Sequence, residues 1–138
     1  MARISTFMYA ESTGIEVNGT NQKMQINGPM HLFQPLFVPS QFSFSVIMGI
    51  LGMDTEQSNT IRFTFSSPKK EIIIDTNSIT LQPQPMEQGH LPPELRGMMM
   101  NLDFRNVPLR EEGEYYSEVF LNNESLGTFP IYVIGREQ

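Results

Sequence analysis

Few residues in this 138-residue chain are of a type and spacing that could do chemistry. Its two histidines, His31 and His90, each stand alone in sequence, and His31 has no acid near it. A zinc site needs three or four ligands of the right kind, and a histidine base needs a partner in reach. Neither pattern is present, so His31 and His90 read as structural or surface side chains. The chain has no Cys, which excludes disulfides, thiolate metal ligands and cysteine nucleophiles. No Gly-x-Ser-x-Gly elbow and no Gly-x-x-x-x-Gly-Lys phosphate loop occurs. No catalytic, cofactor-binding or metal-ligating residue is assigned, and no cofactor is expected. An enzyme would have to bring His31 or His90 together with a carboxylate in a folded cleft.

The charged residues divide unevenly. Nine Lys and Arg against fifteen Asp and Glu give a formal net charge of −6. That sign repels phosphate backbones, and Lys69-Lys70 beside Pro68 reads as a turn, so no nucleic-acid partner is expected. Arg62 and Arg105 project from the polar sides of their runs, where they could fork a phosphate, and they are the candidate anion binders. Acids crowd the last third (Glu111, Glu112, Glu114, Glu118, Glu124) with no base among residues 111–135, which reads as a solvated face. The longest apolar stretch, Phe42 to Gly52, contains serines and is too short to span a bilayer. With no Cys and no secretory signal in its first residues, the chain is expected to be cytoplasmic.

Thirty consecutive residues, Met24 to Met53, carry no Asp, Glu, Lys or Arg. Within them lies the proline-punctuated run Pro29 to Pro39, whose prolines oppose regular sheet pairing. Its Leu32, Phe33, Leu36 and Phe37 must therefore close the core or face a partner, and they are candidate contact residues. Of the three methionines Met98 to Met100, alternation leaves Met99 outward, and it joins that set. The proline-rich stretch Gln82 to Pro93 reads as a surface crossover between sheets.

These side chains hang on a framework with a period of two. Phe42, Phe44, Val46, Met48 and Ile50 share one side of a run, with Ser43 and Ser45 opposite. Ile61, Phe63 and Phe65 alternate with Arg62 and Thr64. Met98, Met100, Leu102 and Phe104 alternate with Asn101, Asp103 and Arg105. Tyr115, Val119 and Leu121, then Phe129, Ile131 and Val133, complete five runs of the half-buried strand pattern. Ile4–Ala10, Ile15–Val17, Met24–Ile26 and Glu71–Asp75 are weaker strands. Asn18-Gly19, Asn27-Gly28-Pro29, Ser67-Pro68, Glu112-Gly113 and Asn122-Asn123 mark turns, the last a tight hairpin. Pro93 to Gly97 allows one helical turn at most. Charged residues are only 17% of the chain, against roughly 25% usual. The expectation is one all-β antiparallel two-sheet sandwich of about seven to nine strands over residues 1–138.

The segment Leu102-Asp-Phe-Arg-Asn-Val107 followed by Glu111-Glu-Gly-Glu-Tyr115-Tyr-Ser117 resembles a corner of immunoglobulin-like domains. The resemblance implies that Tyr115, beside Gly113, bonds back to the backbone and pins that corner. Ser117 stands where antibody-type domains carry a disulfide Cys, and the chain has no Trp, so only the sandwich and its corner carry over. The order of "FMYAE", "FSFSVIMGILG" and the closing "G-E-Y…V-F-L-N…L-G-T-F-P-I-Y-V" resembles a family of small bacterial proteins of unknown function. That resemblance implies a bacterial or phage origin and brings no catalytic residue.

The expected function is a non-catalytic binding or adaptor module. It would contact a protein partner or a second copy through sheet edges and the 29–39 loop. A module that sequesters a nucleotide-like ligand is the alternative, and an enzyme a distant third.

Overall fold

Every long apolar run in this chain has the spacing of a strand with one dry face, and two such faces can satisfy each other only by packing together. The computed structural model, which describes residues 2–83 and 90–136, has that arrangement. Its strands are β1 (Arg3–Asn18), β2 (Asn21–Met30), β3 (Leu32–Phe33), β4 (Ser40–Leu51) and β5 (Asn59–Ser66). They continue with β6 (Ile72–Asp75), β7 (Ile79–Leu81), β8 (Gly97–Leu109), β9 (Gly113–Leu121) and β10 (Glu124–Val133). The first sheet runs β2-β1-β4-β8 and the second β3-β10-β9-β5-β6, with β7 also paired to β5. All pairings among the described residues are antiparallel except the two-residue match of β3 with β10.

The core lies between the sheets. Phe44, Val46, Met48 and Ile50 of β4 meet Ile61, Phe63 and Phe65 of β5, together with Tyr115 and Val119 of β9. Phe44 and Phe65 lie 5.2 Å apart by ring centroid, and Phe65 stacks on Tyr115 at 5.5 Å. Such offset aromatic contacts add to simple burial.

Ten strands among the described residues exceed the expected seven to nine. Ile4–Ala10 and Ile15–Val17 are one strand, while β3 and β7, of two and three residues, have too little sequence to show a period. Asn27-Gly28-Pro29 is not a turn but part of β2. The real turn is Asn18-Gly19, with Gly19 at a left-handed φ of 66°. The other turns fall where the sequence puts them. Asn122 and Asn123 both take left-handed φ, 50° and 69°, as a two-residue hairpin of the mirror-image type requires. Pro93–Leu95 forms a single 3-10 turn. The Gln82–Pro93 crossover lies partly outside the described residues, at 84–89.

β1 does two jobs. From Arg3 to Ala10 it pairs with β4, and from Tyr9 to Asn18 with β2. Just past Ala10, Glu11 faces Gly28, whose φ is +63° and whose missing side chain leaves room for the Glu11 carboxylate. A Cβ on Gly28 would sit 2.6 Å from Glu11 Cδ. Beyond this point the β1–β2 hairpin becomes an arm that bends over the outer face of the first sheet. The side chain of Thr13 reaches across β4 to β8: Asn101 Nδ2 donates to Thr13 Oγ1 at 2.9 Å, and Thr13 donates to Asp103 Oδ1 at 3.0 Å. Ser45 of β4 donates to the same Asp103 oxygen, so one carboxylate ties three elements. That cover explains why Ser45 and Ile47, on the outward side of β4, are buried.

Candidate functional site

The apolar loop Pro29–Pro39 divides in two. Its first part enters the fold: Leu32 and Phe33 pair in parallel with Tyr132 and Val133, and the Phe33 carbonyl accepts from the amide of Ile134 at 3.0 Å. Phe33 is fully buried, with its ring 4.7 Å from Phe44 and 5.4 Å from Tyr9 by centroid. This corrects the expectation that Phe33 is a contact residue, because β10 draws it into the gap between the sheets. Leu32 is half-buried. The loop tip behaves oppositely: Leu36 and Phe37 remain 50% and 54% exposed. Met99 is exposed as alternation implied, lying over Gly49, while Met98 and Met100 pack against the core.

The arm adds exposed apolar residues, candidate contact residues, that sequence reasoning missed. Ile15 and Val17 of β1 share a face with Met24 and Ile26 of β2, as the pairings Ile15↔Met24 and Thr13↔Ile26 dictate. All four are exposed, Ile15 at 67% and Val17 at 64%. The signal was present as two short alternations, yet no polar-to-apolar contrast with a core marked them as one ribbon. Under the arm lies a groove of about 590 Å³ lined by Thr13, Ile15, Lys23, Met24, Asn101 and Asp103.

The two candidate anion binders do not meet. Arg62, on β5, projects from the outer face of the second sheet, and Arg105, on β8, from that of the first. Arg62 is moreover held by a fork to Asp75, Nε to Oδ1 at 3.0 Å and Nη2 to Oδ2 at 2.7 Å, with its guanidinium 5.3 Å from the centre of the Phe120 ring. The two candidates are therefore separate arginines, and Arg62 is already occupied by a carboxylate.

The fork has a pH consequence. The Arg62 guanidinium, helped by the Asn77 amide, holds the Asp75 carboxyl at about 2, below its usual range. A carboxyl depressed in the folded state adds stability that is present above its unfolded pKa of about 3.9 and is lost as pH falls through the folded value. The Asp75 contribution should fade between about pH 4 and pH 2. An NMR titration of the side-chain carboxyl should show Asp75 at about 2 in the native chain, and moved up toward about 3.9 in Arg62→Met. Equal midpoints in the two proteins would refute the coupling.

The corner is as the resemblance implied. Tyr115 Oη donates to the Glu111 carbonyl at 2.7 Å and accepts from the Glu111 amide at 3.3 Å. Gly113 takes a φ of +140°, and a Cβ there would lie 2.8 Å from Pro68. Ser117, in the place of the disulfide Cys, is fully buried and bonded at 2.7 Å to the hydroxyl of Tyr9 on the opposite sheet.

His31, Glu11 and Arg136 line the same groove of about 490 Å³. His90 is exposed. Among the described residues no three His, Cys, Asp or Glu side chains gather as a metal site would require, and no helix is long and apolar enough to cross a membrane.

Comparison with known proteins returns fold neighbours and one family. An immunoglobulin-like protein from Pseudomonas aeruginosa superposes with a TM-score of 0.50 at 10% identity, over 97% of each chain. An alkylpurine DNA glycosylase from Pseudomonas fluorescens, solved bound to DNA containing an abasic-site analogue, gives 0.48 at 8% identity over 96% of this chain. A beta-glucosidase from Listeria innocua gives 0.43 at 13% identity over 91% of it. The chain spans 30% of that glycosylase and 16% of that glucosidase. At such identities the likeness concerns the fold, which is an immunoglobulin-like sandwich. No curated protein matches the sequence. A family model matches residues 15–134, and with most of the chain so covered, the protein belongs to a family of unknown function, DUF6941.

Proposed function

We propose that this chain is a non-catalytic protein-binding module acting inside bacterial cells. The observation that carries this reading is that six of the ten large apolar side chains exposed among the described residues gather at two places, while Ile72, Leu95, Met99 and Tyr132 lie apart from them in sequence. Leu36 and Phe37 stand out at the loop tip, and Ile15, Val17, Met24 and Ile26 on the arm. Four of these six fall in the charge-free stretch Met24–Met53. Grouped apolar exposure marks a surface that gains by being covered, and an outer strand offers backbone groups for a further strand. The cysteine-free composition favours the intracellular setting.

The double variant Leu36→Glu/Phe37→Glu tests the loop tip. Both residues are exposed, so folding is expected to survive. Chemical cross-linking in cells of the source organism, read by quantitative mass spectrometry, should give wild-type adducts at the tip that the variant lacks. Identical adduct profiles for the two proteins would sink the reading.

A further inference from the structure

We propose that the partner of the arm is a second copy of this chain, joined by antiparallel pairing of β2 with its counterpart across a two-fold axis at Gln25. This rests on the binding-module reading and deepens it by naming one partner. β2 is the outer strand of the first sheet, and among the described residues β1 is its only ladder partner. Every residue from Asn21 to Pro29 is exposed. Edge strands that stay unpaired are usually short, charged, proline-bearing, bulged or covered, and in β2 the one proline, Pro29, stands at the far end, beyond the Lys23–Asn27 segment. β2 has ten residues, one charge at Lys23 and a run of pairs with β1 free of register shifts, and it is exposed along nearly its whole length.

Charge selects the same place. At −6 the molecule repels its own copies over most of its surface. From Ser12 to Met30 the only charges are Glu16 and Lys23, which lie opposite each other in the arm, so this ribbon is neutral. The acids of residues 111–124 belong to the second sheet and its turns.

The side chains then choose a register. Even-numbered positions of β2, Met24 and Ile26, share the apolar face, so only even-with-even pairing keeps the two ribbons' apolar faces on one side. A two-fold at Lys23 would set two ammonium groups directly opposite, which is unfavourable. One at Met24 opposes Ile26 to Gln22. One at Gln25 opposes Met24 to Ile26 twice, once in each direction, and places Lys23 against Asn27. The result is a continuous eight-stranded sheet, twice the four strands of the first sheet, whose two arms form a single four-stranded apolar ribbon. The contact is isologous and closed, so it ends at a dimer.

The absence of Cys makes the register directly readable. Gln25→Cys supplies the sole thiol, and under mild oxidation it should give a disulfide-linked dimer. Lys23→Cys should link poorly, because its opposite position is Asn27. Sedimentation velocity from micromolar to sub-millimolar concentration should show a wild-type dimer. Ile26→Lys should weaken it by about tenfold or more, and Met24→Lys/Ile26→Glu should restore it through two opposite-charge pairs. A wild-type monomer throughout, a dimer indifferent to Ile26→Lys, or a stronger disulfide link in Lys23→Cys than in Gln25→Cys would each overturn the inference. A monomer whose cross-link adducts still depend on Leu36 and Phe37 removes the dimer and leaves the module standing. A dimer lost in Ile26→Lys, with adducts indifferent to the loop variant, upholds the arm and removes the loop tip.

Discussion

Phe33→Ala is expected to cost about 3–5 kcal/mol of folding stability, whereas Phe37→Ala, in the same loop, should stay within about 0.5 kcal/mol. Phe33 is fully buried and its ring touches Tyr9, Phe42, Phe44 and Phe65, so truncation opens a hole that these aromatic neighbours from β1, β4 and β5 cannot jointly fill. Phe37 is 54% exposed and loses little on truncation. Urea denaturation should show the Phe33→Ala midpoint sharply lowered at an unchanged slope, and the Phe37→Ala midpoint near wild type. Comparable losses in the two variants would mean that the loop tip is packed and cannot serve as a free surface. The contrast therefore tests the core and the proposed contact together.

That pair also shows where the sequence stops being legible. Phe33 and Phe37 are the same residue type in one proline-punctuated loop, and nothing within a few residues tells them apart. What separates them is a short parallel match with β10, at the far end of the chain. Arg62 is similar. Its place on the polar side of β5 was readable from alternation, but the hairpin that delivers Asp75 to it, and Phe120 beside it, comes from strand pairing. The Tyr115 corner was readable because its bond returns to Glu111 and needs only local chain. β4, β5, β8, β9 and β10 were readable because the core-facing positions of each are apolar at a period of two. The arm was read only as fragments, because both its faces are wet and burial imposes no contrast on it.

The charge-free stretch Met24–Met53 acquires a physical meaning from this division. Its last part, β4, is dry because it is covered twice, by the second sheet on one side and by the arm on the other. Two earlier parts of it, β2 from Met24 onward and the loop tip, are uncharged yet wet. A charge in β4 would carry a severe desolvation penalty, so the core alone accounts for that part of the stretch. No such penalty acts at Met24, Ile26, Leu36 or Phe37 in the isolated chain. A covering partner would impose one there, and in this way composition and exposure together favour a binding role.

The second large effect is expected at the hydroxyl pair between the sheets. Tyr9 Oη donates to the Phe129 carbonyl at 2.6 Å, which leaves the Ser117 hydroxyl to donate to Tyr9 at 2.7 Å. Burial pushes the Tyr9 phenol well above its ordinary range, so it stays a donor at any working pH. Tyr9→Phe removes both bonds and leaves the fully buried Ser117 hydroxyl without its Tyr9 partner, at a cost of about 1–3 kcal/mol. Ser117→Ala removes only one bond, and Tyr9 Oη keeps its carbonyl, so its cost should be nearer about 1 kcal/mol. In Tyr9→Phe/Ser117→Ala the stranded serine is gone as well, and the double variant should be more stable than the sum of the singles by about 0.5–1.5 kcal/mol. Thermal or urea unfolding of the four proteins closes this cycle. Strict additivity would mean that the two hydroxyls do not act as a unit. A positive coupling would establish that a neutral hydrogen-bonded pair clasps the two sheets through Ser117, the position where antibody-type domains carry one disulfide Cys, which suits a chain without cysteine.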